Sequence, residues 1–140
     1  MSAPAIKNVV VVGASGNVGR STLKALSEDG FQVTGLSRHP PVDSIPADVE
    51  FINSDYSASS FLTAFKGQDA VISTLSSTGP GALDLHKSLI DAAIAAGVKT
   101  FIPSEYGVDT LDRSSPDFIP FLAEKIAILN YLRECQNQLL

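Results

Sequence analysis

The sequence predicts an α/β fold: a doubly wound parallel β-sheet with helices on both faces, formed by a single domain over residues 1–140. Short apolar runs, several of them rich in β-branched residues, alternate five times with segments of helical periodicity. Parallel strands need crossover connections, which the helical segments supply. The first strand also leads into a glycine-rich loop, VVVGASGNVGR, at residues 10–20. Together these observations indicate about five parallel strands.

The first part of the chain supplies three strands. Val9–Val12 is a run of valines typical of a strand buried on both faces. From Asn17 to about Glu28 the apolar residues have helical spacing, and Gly30 is the expected C-terminal stop. Phe31–Leu36 and Val49–Ile52 are predicted as the second and third strands.

The rest of the chain continues the alternation. In order, the predicted elements are a short helix marked by Phe61, Leu62 and Phe65, a strand at Ala70–Leu75, a helix from Ala82 to Ala96, a strand at Thr100–Ile102 and a last helix from Phe121 to about Glu134.

Composition excludes several classes of function. A net charge of −5 gives no basic surface for nucleic acid or an anionic membrane. Cys135 is the only cysteine, and His39 and His86 are far apart, so neither a disulfide nor a metal site is indicated. The start, MSAPAIKN, lacks the apolar core of a signal peptide, and no stretch reaches the ~18 apolar residues of a membrane span. We therefore expect a soluble, cytoplasmic protein.

The glycine loop lies between a strand and a helix, which is the context of a dinucleotide site. Gly13 can adopt the positive φ of a tight turn, Gly16 would let a pyrophosphate approach the backbone, and Gly19 would let helix and strand pack closely. Free N–H groups at the helix N-terminus would attract the phosphates. The alternative is a glycine-rich turn without a ligand. The spacing is GxxGxxG, whereas ordinary dehydrogenases have GxGxxG.

The end of the second strand indicates which dinucleotide is bound. An acidic residue there would hold the ribose 2′-hydroxyl of NAD, but the strand ends in Ser37-Arg38-His39. A guanidinium pairs with a 2′-phosphate in a forked geometry, so Arg38 predicts NADP(H) with a roughly 10–150-fold preference. A solvated surface arginine is the alternative. Residues Pro40 to Pro46 contain no second basic residue, which argues for a weaker preference.

Five segments resemble the NmrA-like and isoflavone-reductase-like proteins, a branch of the atypical short-chain dehydrogenases and reductases. They are VVGASGNVGR, GLSRHP, DAVISTLSS, FIPSEYGVD and, more weakly, FLAEKIAILNYLRE. The resemblance implies a Rossmann fold that binds NADP, and hydride transfer from NADPH to a small, often aromatic substrate. The cofactor-binding residues it implies are Gly13, Ser15, Gly16, Asn17, Val18 and Gly19 in the glycine loop, Arg38 at the 2′-phosphate, Asp55 near the adenine, Ser73 and Thr74 on the nicotinamide side, and Ser104 elsewhere along the cofactor.

By the same resemblance Lys125 is the catalytic lysine, contacting the nicotinamide ribose or acting as general acid or base. Many short-chain reductases place a tyrosine four residues before this lysine, but here that position is Phe121. Tyr106 does not replace it, because Thr110 stands where the lysine would be. An exposed lysine paired with Glu124 or solvent is the alternative for Lys125.

Two functions remain open. The first is an NADP(H)-dependent reductase of a small-molecule substrate. The second is a non-catalytic NADP-binding module that reports cofactor state to a regulated protein partner. Members of the family are about twice as long, so the chain is expected to be either a fragment or a shortened protein, and a homodimer is one consequence of the exposed sheet edge.

Overall fold

The structure is a computed structural model that describes residues 5–41, 44–106 and 122–136. Its strands form one parallel sheet in the order β3-β2-β1-β4-β5. The strands are β1 (Asn8–Val12), β2 (Gln32–Ser37), β3 (Glu50–Asn53), β4 (Ala70–Ser73) and β5 (Thr100–Ile102), and the helices are α1 (Asn17–Glu28), α2 (Ala58–Phe65), α3 (Ala82–Ala95) and α4 (Leu122–Glu134). The predicted doubly wound α/β fold is confirmed. No helix within the described ranges is long and apolar enough to cross a membrane.

The two faces of the sheet are covered unequally. Because side chains alternate along a strand, Val10 and Val12 pack into a large core on one face, and Val11 packs into a smaller one on the other. The large core includes side chains from α2, α3 and α4, whereas the small core receives Leu23 of α1. Helices therefore lie on both faces, as predicted.

Several predicted boundaries are displaced by one or two residues. Phe31 is not in β2, because its N–H donates to the carbonyl of Leu26 and closes α1. β4 ends at Ser73 and not at the predicted Leu75, whose N–H turns back to the Ser73 hydroxyl. β3 lies one residue later than predicted, because the N–H of Val49 bonds within a turn to Pro46.

The end of α3 and the start of α4 can also be compared with the predicted boundaries. α3 ends at Ala95, and Ala96 is its C-terminal cap. The expected start of the last helix, Phe121, lies outside the described residues, and α4 is described from Leu122.

Asp69 joins three strands at the amino edge of the sheet. Its carboxylate accepts the N–H groups of Lys7 and Asn8 at 2.9 Å each, and it forms an ion pair with Lys99 at 3.0 Å. These hydrogen bonds, with the backbone donors first in importance, hold the pKa of the Asp69 carboxyl far below its usual range. The amino ends of β1, β4 and β5 are thus fixed at one residue, away from the glycine loop.

The close approach of α1 to β1 depends on a missing side chain. A Cβ at Gly19 would lie 2.2 Å from the carbonyl oxygen of Gly13 and 2.9 Å from the Cα of Ala14. Gly13 itself has a φ of +87°, which L-residues with side chains rarely adopt. The roles predicted for these two glycines, a tight turn and close helix–strand packing, are confirmed. A Cβ at Gly16, in contrast, would only touch the Gly13 oxygen at 3.4 Å.

We expect Gly19→Ala to reduce the free energy of unfolding by about 2–3 kcal/mol, because the new methyl group meets backbone that cannot move aside. Helix propensity alone would favour alanine by about 1 kcal/mol. A loss of stability would therefore show that the new methyl group clashes with the backbone. Urea denaturation measures it. Gly16→Ala is the matched control and should change stability by less than about 0.5 kcal/mol. Equal stability of the two variants would contradict the close approach.

Candidate cofactor site

The candidate site lies at the carboxyl edge of the sheet, where the strand order reverses. β1 pairs with β2 on one side and with β4 on the other, so the chain leaves β1 in one direction and returns on its opposite side. In open parallel sheets the crevice outside such a reversal is where ligands bind. The segments that follow all five strands begin at this edge.

The glycine loop is held from both neighbouring strands. The N–H groups of Gly13 and Ala14 donate to the carbonyl of Leu36 at the end of β2, at 2.8 and 3.2 Å. From the β4 side, the hydroxyl of Thr74 donates to the carbonyls of Val12 and Gly13, at 2.7 and 3.1 Å. Thr74, predicted as a cofactor residue, therefore braces the loop by its hydroxyl.

The first turn of α1, directly after the glycine loop, contains backbone N–H groups that make no hydrogen bond within the helix. The helix follows Gly16, which supplies no side-chain cap, and its first turn contains no acidic residue. The first intrahelical bond runs from the N–H of Arg20 to Gly16 at 2.9 Å, so the N–H groups of Asn17, Val18 and Gly19 have no helical acceptor. With the positive end of the helix dipole, these donors suit a phosphate.

Ser37 connects three loops at the end of β2. Its side chain is buried, and its hydroxyl lies 2.6 Å from that of Ser15 in the glycine loop. Its carbonyl accepts the N–H of Ser54 at 2.8 Å, and its hydroxyl accepts the N–H of His39 at 3.2 Å. Ser15, predicted from the loop sequence, and Ser37, which was not predicted, thus fix the glycine loop relative to Arg38.

Arg38 lies over an aromatic ring that the sequence did not reveal as part of the site. Its side chain is exposed, and its Cζ lies 4.9 Å from the centroid of the Tyr56 ring. Tyr56 is only 8% exposed and its ring stacks on Phe61 at 5.6 Å. Burial raises the pKa of the Tyr56 phenol, although the Ser37 hydroxyl and the Arg38 charge act in the opposite direction.

Asp55 lies in the same loop and is exposed. Its carboxylate accepts the N–H of Ser57 at 2.9 Å, and Ser57 caps α2. Hydrogen bonds from Ser57, chiefly from its backbone, lower the pKa of the Asp55 carboxyl. Asp55 borders a groove of about 800 Å³ between α2 and β3. Its proximity to the adenine stays a prediction.

The predicted nicotinamide side contains a buried histidine. The ring of His86 in α3 is fully buried, with Nδ1 at 2.9 Å from the carbonyl of Ala82 and Nε2 at 3.2 Å from the Ser73 hydroxyl. Because a carbonyl only accepts, the proton is on Nδ1, and Nε2 accepts from Ser73. The Ser73 side chain therefore points to α3. Burial lowers the pKa of His86.

Two further hydrogen bonds connect the carboxyl ends of β4 and β5. The Tyr106 hydroxyl donates to the carbonyl of Ser73 at 3.0 Å, and the Ser77 hydroxyl donates to the carbonyl of Ser104 at 3.3 Å. Ser104 is 9% exposed, whereas the Tyr106 side chain is 45% exposed. Partial burial raises the pKa of the Tyr106 phenol. Tyr106 thus presents an aromatic ring at the edge where β4 and β5 end.

Lys125 lies in the first turn of α4 and is 7% exposed. It shares a buried helix face with Leu122 and Ile128, and Ile128 belongs to the large core, to which α3 also contributes. A helix that follows a parallel strand ordinarily begins at the carboxyl edge of the sheet, which favours a position for Lys125 at the same edge as the glycine loop. This burial does not fit the alternative of an exposed lysine paired with Glu124 or solvent. Phe121 and Thr110 lie outside the described residues.

The strand order, the reversal beside β1 and the glycine loop define a Rossmann-type α/β protein. The chain belongs to the NmrA-like family, whose sequence profile matches residues 5–139.

Individual relatives agree with this assignment. Oxidoreductase aprR of Aspergillus flavus is 41% identical over 133 residues, covering 92% of this chain and 44% of that protein. The isoflavone reductase homolog IRL of Zea mays is 34% identical over 122 residues, covering 76% of this chain and 37% of that protein. The structure of AtPrR2 with NADP+ and (+)pinoresinol has the same fold, with a TM-score of 0.74 at 23% identity over 94% of this chain and 47% of that one. The chain spans less than half the length of these proteins.

We expect the stability of the protein to fall as the pH is lowered from 7 to 5, because burial disfavours the protonated form of His86 in the folded state. Its folded pKa is below the ordinary value of about 6.5, so the unfolded chain binds more protons in this range. The slope should reach at most about 1.4 kcal/mol per pH unit. Urea denaturation at several pH values measures it.

The variant His86→Asn should be less stable at pH 7 and should show a flatter slope. His39→Asn, which changes an exposed histidine, is the control and should keep the slope of the parent protein. Asp55 and Asp69 do not interfere, since their lowered pKa values lie below this range. A parental slope in His86→Asn would show that another group titrates.

Proposed function

We propose that the chain is the cofactor-binding part of an NADP(H)-dependent oxidoreductase that transfers hydride from NADPH to a small substrate. The observation that carries this proposal is the pairing of two features at one edge. An uncapped helix N-terminus follows a glycine loop, and an arginine stands at the end of the neighbouring strand. The first suits a diphosphate and the second a 2′-phosphate.

The residues at the loop fit a dinucleotide diphosphate. Gly16 is exposed and a Cβ there would meet only the Gly13 oxygen, so the missing side chain serves no packing purpose inside the protein. An approaching ligand would explain it. The donors of Asn17, Val18 and Gly19 would hold the phosphate oxygens, and no acidic side chain of the first turn competes.

The end of β2 fits NADP better than NAD. The strand ends at Ser37, and Arg38 and His39 follow, so the positions directly after the strand carry no carboxylate that could hold the 2′-hydroxyl of NAD. The Arg38 guanidinium offers paired in-plane donors for a phosphate. His39 is exposed beside it.

Bound NADPH would supply the hydride. The residues of the chain would orient the cofactor and transfer the proton. Lys125 would contact the nicotinamide ribose or transfer a proton, as the only charged side chain on the buried face of α4. Thr74 would keep the glycine loop in place, since its hydroxyl bonds to two loop carbonyls. The half-exposed Tyr106 would border the substrate side.

The relatives favour an enzyme over a non-catalytic regulator. Two of its relatives are named as an oxidoreductase and an isoflavone reductase homolog. The protein AtPrR2, which shares the fold, was solved with NADP+ and (+)pinoresinol, and this supports both the cofactor and an aromatic substrate class.

We expect NADPH to raise the melting temperature of this chain more than NADH does at equal concentration. A ligand that binds only the folded state stabilises it by about 2.7 kcal/mol at a concentration of 100 Kd. In Arg38→Ala the two shifts should become equal, because the charge-assisted bonds to the 2′-phosphate are lost. Thermal unfolding with each cofactor measures this.

Arg133→Ala, which removes an exposed arginine of α4, is the matched control and should keep the preference for NADPH. Absence of any shift with either cofactor would overturn the proposal. A larger shift with NADH would overturn the choice of NADP.

We expect Lys125→Met to weaken NADPH binding by about tenfold while leaving the binding of 2′,5′-ADP unchanged, because the lysine would contact only the nicotinamide half. A charge-assisted bond of about 1.5 kcal/mol corresponds to this factor. Calorimetric titration with both ligands measures it, with the exposed Lys24→Met as control. Equal weakening of both ligands would show that Lys125 stabilises the fold instead.

A further inference from the structure

We propose that Tyr56 is the positioning residue that holds the Arg38 guanidinium for the 2′-phosphate, so that the NADP preference depends on the loop between β3 and α2. This inference rests on the proposed function. It assigns a role in cofactor specificity to a residue that is not itself in the glycine loop or at the end of β2.

The first support is the contact between the two side chains. The Cζ of Arg38 lies over the Tyr56 ring, 4.9 Å from its centroid. Arg38 is exposed, so its long side chain would otherwise sample many rotamers in solvent. An attractive contact with the face of a ring restricts that freedom before the ligand arrives.

The second support is that the Tyr56 ring cannot follow Arg38 into other positions. It stacks on Phe61 at 5.6 Å, and Phe61 stacks in turn on Phe65 at 5.7 Å within α2. The N–H of Tyr56 donates to the Ser54 hydroxyl at 3.0 Å, and the N–H of Ser54 donates to the carbonyl of Ser37. The ring is therefore fixed to both the helix and the strand that precedes Arg38.

The third support is the backbone of Tyr56. With a φ of 61°, it is the one non-glycine residue with positive φ among those that the structure describes. This conformation is costly for an aromatic residue, and the surrounding contacts must maintain it. It turns the side chain inward, beneath Arg38.

The contact with Tyr56 leaves the N–H donors of the Arg38 guanidinium available to a phosphate. Its five N–H donors spread outward in the plane of the group, whereas the contact with Tyr56 is centred on the Cζ, 4.9 Å from the ring centroid. A phosphate can therefore bind the edge in a forked geometry while the contact with the ring persists. This arrangement explains how one arginine can suffice where residues 40–46 supply no second cation.

The test compares 2′,5′-ADP with 5′-AMP, two ligands that differ only in the 2′-phosphate. The quantity is the ratio of their dissociation constants, measured by calorimetry on the parent chain, Tyr56→Leu, Tyr56→Phe, Arg38→Ala and the double variant Tyr56→Leu/Arg38→Ala. A cation–π contact corresponds to about 2- to 30-fold in an equilibrium constant. We expect Tyr56→Leu to reduce the ratio by a factor in this range.

Tyr56→Phe keeps the ring and should keep the ratio. In the double variant the ratio should equal that of Arg38→Ala alone, because Tyr56 acts through the arginine. Tyr131→Leu is the matched control, since it removes a similar contact on α4, where the Lys87 Nζ lies 5.2 Å from the Tyr131 ring centroid. It should leave the ratio unchanged.

A general loss of stability in Tyr56→Leu would weaken both ligands equally and so would not change the ratio. A parental ratio in Tyr56→Leu, with both ligands bound, would overturn the role of Tyr56 but not the proposed function. Failure of the parent chain to discriminate the two ligands would instead overturn the NADP assignment on which the inference rests.

Discussion

The carbonyl oxygen of Gly13, directly after β1, is contacted from the start of α1 and from the residue that follows β4, and the candidate site depends on these contacts. It accepts the N–H of Gly16 and the hydroxyl of Thr74, both at 3.1 Å, and only a residue without a Cβ fits opposite it at position 19. One backbone group thus sets the bend of the loop, the distance of the helix from the sheet and the position of the neighbouring strand. The same contacts of the Gly13 oxygen also fix the orientation of the backbone N–H groups at the start of α1.

Much of the fold could be predicted from the sequence because the apolar pattern and the turn residues agree. Val9–Val12 form an uninterrupted apolar run, and Gly30 and Gly97 follow α1 and α3 with positive φ. Boundaries were less predictable, since they depend on single hydrogen bonds. Phe31 is as apolar as a strand residue, but its N–H closes the preceding helix.

The site was only partly predictable, for a different physical reason. The glycine loop and Arg38 could be recognised from short stretches of sequence, because glycine and arginine at these positions are the residue types that bind a diphosphate and a 2′-phosphate. Tyr56 and His86 belong to the site because of contacts with residues distant in sequence: Tyr56 contacts Arg38, and His86 bonds to Ser73. A serine can face a ligand or a helix equally well, so the sequence could not show that the Ser73 hydroxyl points to α3. The left-handed backbone of Tyr56 was equally invisible, although the string NSDYS between a strand and a helix marks a turn.

The central place of β1 also determines the order in which the chain can assemble during synthesis. Its neighbour β2 leaves the ribosome soon after it, but the contact of Asn8 with Asp69, at the start of β4, spans 61 residues. Until then one edge of a run of valines has no partner, and such edges can pair with other chains. The carboxylate of Asp69, by accepting two N–H groups at the start of β1, lets β4 dock in one register as soon as it emerges. The strand that presents the cofactor loop therefore gains its second neighbour only after residues 69–73 have been synthesised.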